Sequence, residues 1–442
     1  MSNFGKKLSS SQIILLGFLA VILTGTMLLM LPFATQTGES ATFFDSLFTA
    51  TSAVCVTGLV VQDTATYWSF FGQLIILILI QIGGMGIVTL SIAIATFSKK
   101  TIISLKQRSV LQEALSAPKV GGIVRMVGFI LHMTAVFEIS GAVLMMPVFT
   151  RDFGFWKGVW YSIFHSISAF CNAGFDLMGV NRRFSSLMGY ATEPVINIVL
   201  IALIVIGGIG FFTWDDIRTN QQHIHKYRMQ TKVILVMTGI LLIIPFLFFF
   251  FLEFNELPFG ERLMLSAFQA VTPRTAGFNT AELSALSQTG IGIIVLLMLV
   301  GGSPGSTAGG MKTTTLAVMF STAISAFRRK EFTNFFGRRI DESTVRNTIA
   351  ILTLYITFFV TGGFIISYIE HLPLITCLFE TASAVGTVGL TLGVTPRLCL
   401  ASRLILIFLM YVGRVGGLTL IFATVSAEHS VIKLPREKMT IG

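Results

Sequence analysis

The chain has 442 residues, of which 53% are hydrophobic and only 12% charged, and its net charge is +10. A soluble globular domain carries about 25% charged residues, so this composition excludes an ordinary soluble enzyme or binding module. The basic excess would suit nucleic acid on a soluble protein; here the charges lie between long apolar runs, which points to a multi-span membrane protein with its cations sorted to one side and no nucleic-acid partner.

Stretches 8–38, 64–98, 194–214, 233–252 and 347–369 contain no Asp, Glu, Lys or Arg. A bilayer span needs about 20 residues of helix. The first run follows Lys6 and Lys7. It exceeds the roughly 7–15-residue apolar core of a signal peptide, and Met30-Leu31-Pro32-Phe33 offers no small-residue cleavage site, so a retained span is expected.

A fourfold repeat organises the rest: 1–110, 111–228, 229–340 and 341–442, the last ending in a tail. Each unit reads as a long span, a short half-span, a glycine-ended loop and a second long span. The first spans are expected near 11–34, 123–149, 231–252 and 346–369. The half-spans are expected near 43–55, 158–170, 261–272 and 373–385, and the second spans near 68–97, 194–213, 289–328 and 402–427. Segments this short do not cross a bilayer and read as re-entrant helices. Their loops are tolerated at membrane depth only where they are buried in protein or line a watery cavity. The expected fold class is an all-α membrane protein with eight spans and four re-entrant half-helices around a pseudo-fourfold pore axis.

The loops carry the first mark. Its core reads Cys55-Val56-Thr57-Gly58, Cys171-Asn172-Ala173-Gly174, Arg274-Thr275-Ala276-Gly277 and Gly386-Thr387-Val388-Gly389. A second mark follows each: Gly83-Gly84-Met85-Gly86, Gly207-Gly208-Ile209-Gly210, Gly301-Gly302-Ser303 and Gly413-Arg414-Val415-Gly416. The separations between the two marks are 25, 33, 24 and 24 residues. Glycine pairs alone are common in membrane helices; two ordered marks in four units are not.

Glycine opens backbone dihedrals closed to other residues and puts no side chain into a narrow passage. Four such loops offer rings of backbone carbonyls, which replace the hydration shell of a potassium ion. The sixteen residues of the first mark are therefore the candidate K+ filter, acting through main-chain oxygens. If the half-helices point their C-termini at the cavity, their dipoles add a favourable field for a cation.

Repeat three breaks its second span at 301–310. Gly301, Gly302, Ser303, Gly305, Ser306, Thr307, Gly309 and Gly310 cannot continue a helix across Pro304, and the segment is expected below the filter as a gate. Arg414, isolated in the last span, is expected to repel cations there and to bind loop carbonyls. Lys312 does not directly follow a glycine, so the phosphate-loop spacing is not met. Cys55, Cys171, Cys377 and Cys399 lack zinc spacing and read as ordinary apolar residues. Glu138 has no partner evident in the sequence, and Arg274 is expected to pair with Glu380.

With this parse, 21 Lys and Arg fall on the side holding both termini and 7 on the other, where 12 acidic residues gather. The termini are therefore expected in the cytoplasm, and the acidic outer face would concentrate cations. A rocking carrier would show two related halves rather than four units. A membrane enzyme would need a cluster of His, Cys or carboxylates at depth, which Glu138 alone does not supply.

These segments, the glycine-rich break and Arg414 together resemble the Ktr/Trk/HKT superfamily of potassium transporters, over essentially the whole chain. The stretch Thr272-Pro273-Arg274-Thr275-Ala276-Gly277-Phe278 is particularly similar, and the start at the first repeat resembles KtrB-type membrane subunits. The resemblance implies a bacterial plasma-membrane protein, one pore per subunit in a homodimer set among membrane lipid, and a cytosolic ring of RCK-type nucleotide-binding subunits (KtrA or KtrC type). It implies transported K+ with no organic cofactor. Sodium coupling or sodium selectivity stays open, because each filter keeps a single glycine rather than a TVGYG sequence. The basic loops 98–125, 214–232 and 328–346 and the tail are the expected docking surface for the ring.

Overall fold

The computed structural model describes residues 9–86, 89, 110, 112–113, 123–180 and 182–424. Four helices there are long and apolar enough to cross a bilayer: Ser10–Leu29, Arg125–Phe153, Met229–Glu253 and Glu342–Glu370. At about 1.5 Å per residue the 20 residues of the first match a hydrocarbon core of about 30 Å. It starts in a capping box formed by Ser9 and Gln12 and ends at Met30, short of the expected 34, because Pro32 opens a separate turn. Met229–Phe248 contains Pro245 and continues as a π-turn, Phe249–Glu253, a local rewinding of the kind that follows when proline removes a backbone donor.

Two further helices are bent. Pro194–Ile209 meets Phe211–Asn220 at 92°, and Leu400–Val415 meets Gly417–Ala423 at 94°. The expected straight spans over 194–213 and 402–427 are corrected by two glycines. Gly210 and Gly416 have φ of 98° and 91°, left-handed values that end a helix without strain only at glycine. The span expected over 68–97 is seen as Phe70–Met85, ending at Gly86 with φ 83°; most of its remainder lies outside the described residues. In repeat three the expected break separates Gln288–Met298 from Thr313–Phe327. By length and composition, four to six helices among the described residues can cross.

The half-helices are Phe43–Val54, Phe155–Phe170, Phe259–Val271 and Leu374–Gly386. They form the core. Nine of the twelve residues of Phe43–Val54 are buried, against five of the twenty-nine in Glu342–Glu370. The long helices lie outside and turn Met27, Ile139, Ile243, Ile244 and Phe364 outward. An apolar surface this extensive belongs in lipid, not water. A two-residue hairpin, Asn334–Phe335 with Arg338–Arg339, departs from the all-α expectation. Its turn residues, Phe336 and Gly337, both have positive φ, as hairpin twist demands.

Candidate functional site

The four loop glycines stand against one another. A methyl group on Gly58 would lie 2.5 Å from the Ala173 carbonyl oxygen, and one on Gly174 would lie 2.7 Å from that of Ala276. One on Gly277 would lie 2.5 Å from the Val388 oxygen, and one on Gly389 would overlap the Thr57 oxygen. Each glycine thus abuts the next loop in chain order, and the fourth abuts the first. The four loops close a ring around one point, with no room for a side chain.

All four glycines have left-handed φ, 92°, 68°, 80° and 95° in chain order. Two positions before each, a non-glycine residue is left-handed as well: Val56 at 50°, Asn172 at 56°, Thr275 at 67° and Thr387 at 53°. Such conformations cost of order 1–3 kcal/mol and gather at ligand sites. Thr57 Oγ1, Asn172 Oδ1, Thr275 Oγ1 and Thr387 Oγ1 are buried without a hydrogen-bond partner. Unpaired buried oxygens are costly, and a dehydrated cation is the kind of group that satisfies them.

Hydroxyls at the half-helix ends brace the loops. Gly58 N donates to Ser52 Oγ at 3.1 Å and Gly389 N to Ser383 Oγ at 3.0 Å. Ser168 Oγ donates to Phe175 O at 2.7 Å, and Thr272 Oγ1 donates to Phe278 O. The second mark has its own reason. Methyl groups on Gly83, Gly207 and Gly413 would overlap the carbonyl oxygens of Val54, Phe170 and Val385, so only glycine lets the second helices approach the half-helix ends this closely.

The 301–310 segment lies directly beneath the ring. Ser303 N donates to Gly208 O at 2.9 Å and Thr307 N to Gly207 O at 3.3 Å. Phe211 N donates to Gly305 O at 2.9 Å, and Gly310 N to Gly413 O at 3.1 Å. Gly301 N and Gly302 O bond Met311 and Thr313, closing the segment on itself. A methyl on Gly309 would overlap Thr387 Oγ1, and one on Gly310 would lie 2.7 Å from Gly386 O. Ser306 Oγ is buried and unpartnered. Arg414 donates to Thr307 O and Gly83 O, and to Gly84 O at 3.2 Å. The segment is thereby tied to the three other glycine marks, at Gly83–Gly84, Gly207–Gly208 and Gly413.

Other residues fall differently from expectation. Glu380 is not the partner of Arg274. Its carboxylate accepts from Thr391 Oγ1 at 2.7 Å, Leu392 N at 3.0 Å and Thr395 Oγ1 at 2.5 Å, because it faces the loop that follows its own half-helix. Arg274 is buried, and its Nε has no partner. Glu138, without an evident partner in the sequence, accepts from Gln81 Nε2 at 3.2 Å, and Cys171 Sγ lies 3.8 Å away. Lys312, weighed in the sequence only against a phosphate loop, lies against the 301–310 segment: its Nζ donates to Ala308 O at 2.7 Å. A cation two positions beyond a glycine-rich loop, with no acid nearby in the chain, was the available signal. The four cysteines are free. Most of loop 98–125, together with Lys6, Lys7, Lys433, Arg436 and Lys438, lies outside the described residues.

Two cavities flank the constriction. The upper, about 170 Å³, is lined by the four ring glycines with Asp63, Asp176 and Glu282 and, among the described residues, by no Lys or Arg. The lower, about 200 Å³, is lined by Gly305, Ser306, Gly310, Lys312 and Arg414. Burial raises the Asp176 carboxyl from its ordinary value to about 7, with nearby Asp63 adding to the rise.

Residues 8–433 match the family model described as TrkH, cation transport protein. The chain is 40% identical to the potassium/sodium uptake protein NtpJ of Enterococcus hirae, covering 99% of this chain and 98% of that one. It is 38% identical to the Ktr system potassium uptake protein B of Bacillus subtilis, covering 98% and 96%. Among solved structures, the potassium transporter TrkH from Vibrio parahaemolyticus superposes with a TM-score of 0.73 over 96% of this chain and 87% of that one, at 18% identity, a likeness of fold. The chain is a membrane protein of the TrkH family of cation transport proteins, related to the Ktr-type potassium uptake subunits.

Proposed function

We propose that this protein takes up potassium across the bacterial plasma membrane through the ring made by Gly58, Gly174, Gly277 and Gly389. The observation that carries this reading is the closure of the ring: four loops in contact, each ending in a left-handed glycine, with four unpaired buried oxygens beside them. Main-chain oxygens of the three residues before each glycine take over hydration. The 301–310 segment, Arg414 and Lys312 form the intramembrane gate. The four units comprise eight crossings around one pore, with both termini in the cytoplasm. A homodimer docked on a cytosolic RCK-type nucleotide-binding ring is the working assembly that the resemblance to KtrB-type subunits implies; the Ktr system naming of a relative supports a regulatory partner. Sodium, as coupling or alternative ion, is the second reading, favoured by the potassium/sodium description of the 40% identical relative.

Expression in cells lacking potassium uptake systems, together with a Ktr regulatory subunit, is the direct test. Growth is expected at low external potassium and uptake of potassium in preference to sodium. Abundant protein in the membrane without growth would sink the proposal.

The upper cavity adds a pH dependence. Asp176 is neutral below about pH 7 and anionic above it, and an anion at the mouth of the ring attracts cations. The apparent KM for potassium should therefore fall as external pH rises from 6 to 8, by roughly two- to fivefold for a cavity in contact with water. Asp176→Asn should flatten that profile at the higher KM. An unchanged profile would remove Asp176 from the entry path.

A further inference from the structure

The four ring segments are alike in backbone but not in side chain at the left-handed position two residues before the glycine. Val56, Thr275 and Thr387 are short; Asn172 alone carries an amide. Asn172 Nδ2 donates to Thr307 Oγ1 at 3.1 Å, and Thr307 Oγ1 in turn lies 2.9 Å from the carbonyl oxygen of Phe170, at the end of the same half-helix. A threonine hydroxyl has one hydrogen. It is committed to Phe170 O, so the Thr307 oxygen must accept. That fixes the amide with its nitrogen toward the gate and its oxygen away from it. Asn172 Oδ1 is buried and unpartnered, and the residue is fully enclosed.

We infer that Asn172 is a specificity-determining residue whose amide oxygen is presented to the cation beneath the glycine ring, and that Thr307 of the gate sets its orientation. The chemistry suits this role. An amide oxygen is a hard, neutral ligand of the same type as the backbone carbonyls above it. Asn172 sits in the ring loop and Thr307 in the segment that must move for ions to pass. Displacing the segment withdraws the acceptor from Nδ2 and frees the amide to rotate, so the ligand set offered to the ion changes with the state of the gate. Selectivity and gating then share one hydrogen bond. Thr307 acts through Asn172 and is a positioning residue.

This inference rests on the uptake reading above, and the experiment separates the two. Potassium uptake and its inhibition by sodium are measured for the full chain with its regulatory subunit, in wild type, Asn172→Ala, Thr307→Val, the double variant and Thr307→Ser. Both single changes should shift the ratio of potassium KM to sodium inhibition constant in the same direction, by roughly threefold or more, and the double variant should shift it no further than either single. Thr307→Ser, which keeps the hydroxyl, should restore the ratio toward wild type even where Thr307→Val alters maximal uptake. Shifts that multiply in the double variant, or a Thr307→Val that changes maximal uptake with the ratio untouched, would overturn the coupling and leave the uptake reading standing. A wild type that carries no potassium would overturn both.

Discussion

Gly277→Ser is expected to cost at least about tenfold in apparent potassium affinity, and uptake at low potassium should fail with the protein still in the membrane. Two physical effects add. Gly277 has φ 80°, where an L side chain costs about 1–2 kcal/mol. Its new Cβ would also lie 2.5 Å from the Val388 oxygen and 3.0 Å from Gly174 Cα. Both neighbours are backbone, so neither yields by rotating a side chain, and the ring itself must deform. Each 1.4 kcal/mol lost from ion binding is a factor of ten. Gly389→Ala meets the Thr57 oxygen more closely still and should be at least as damaging. Gly292, with open space around it, is the control: Gly292→Ala should leave growth at low potassium intact. Normal uptake by Gly277→Ser, measured on equal amounts of membrane protein, would show that the ring is not the ion path.

The ring was legible in the sequence because its cause is local and repeated. A glycine required by backbone conformation stays a glycine, so four copies at matched places announce themselves. The break in the helix was legible for the same reason: Gly301–Gly302 through Gly309–Gly310 cannot be helix. What escaped was set by partners distant in sequence. The bends at Gly210 and Gly416 needed dihedrals that a string of residues does not state, since Gly83 and Gly413 are also glycines yet lie within helices. Nothing beside Glu380 in the chain announces that Thr391 and Thr395 curl back onto it, so charge alone suggested Arg274. Gln81 reaches Glu138 across 57 residues, and Thr307 reaches Asn172 across 135. Composition identifies such groups as polar and buried; only the fold says which of them meet.

The segments that follow the four ring loops are also unequal in a way that bears on mechanism. The helical stretch over 288–327 gives up its middle to the glycine-rich segment, and the three other glycine marks become its receiver. Gly207 and Gly208 accept from it directly, Gly413 accepts from Gly310, and Gly83 and Gly84 hold it through Arg414. A single side chain therefore closes the third side of the cradle. Arg414→Ala should accordingly raise resting cation flux by about tenfold or more. The guanidinium donates to three carbonyls, Thr307, Gly83 and Gly84, and charge-assisted bonds are worth roughly 1.5–3 kcal/mol each; losing a single one of them from the closed state lowers the cost of displacing the segment by a factor of ten. A fixed positive charge beneath the ring goes with it, which by itself opposed a cation there. Arg414→Lys keeps the charge but not the planar fork, so its flux should fall between the two, and Lys312 on Ala308 O keeps part of the segment closed in both. Tracer rubidium flux into liposomes, without the regulatory subunit, reads the leak directly. Equal leaks from wild type, Arg414→Ala and a chain shortened within 301–310 would mean that this segment does not hold the pore shut.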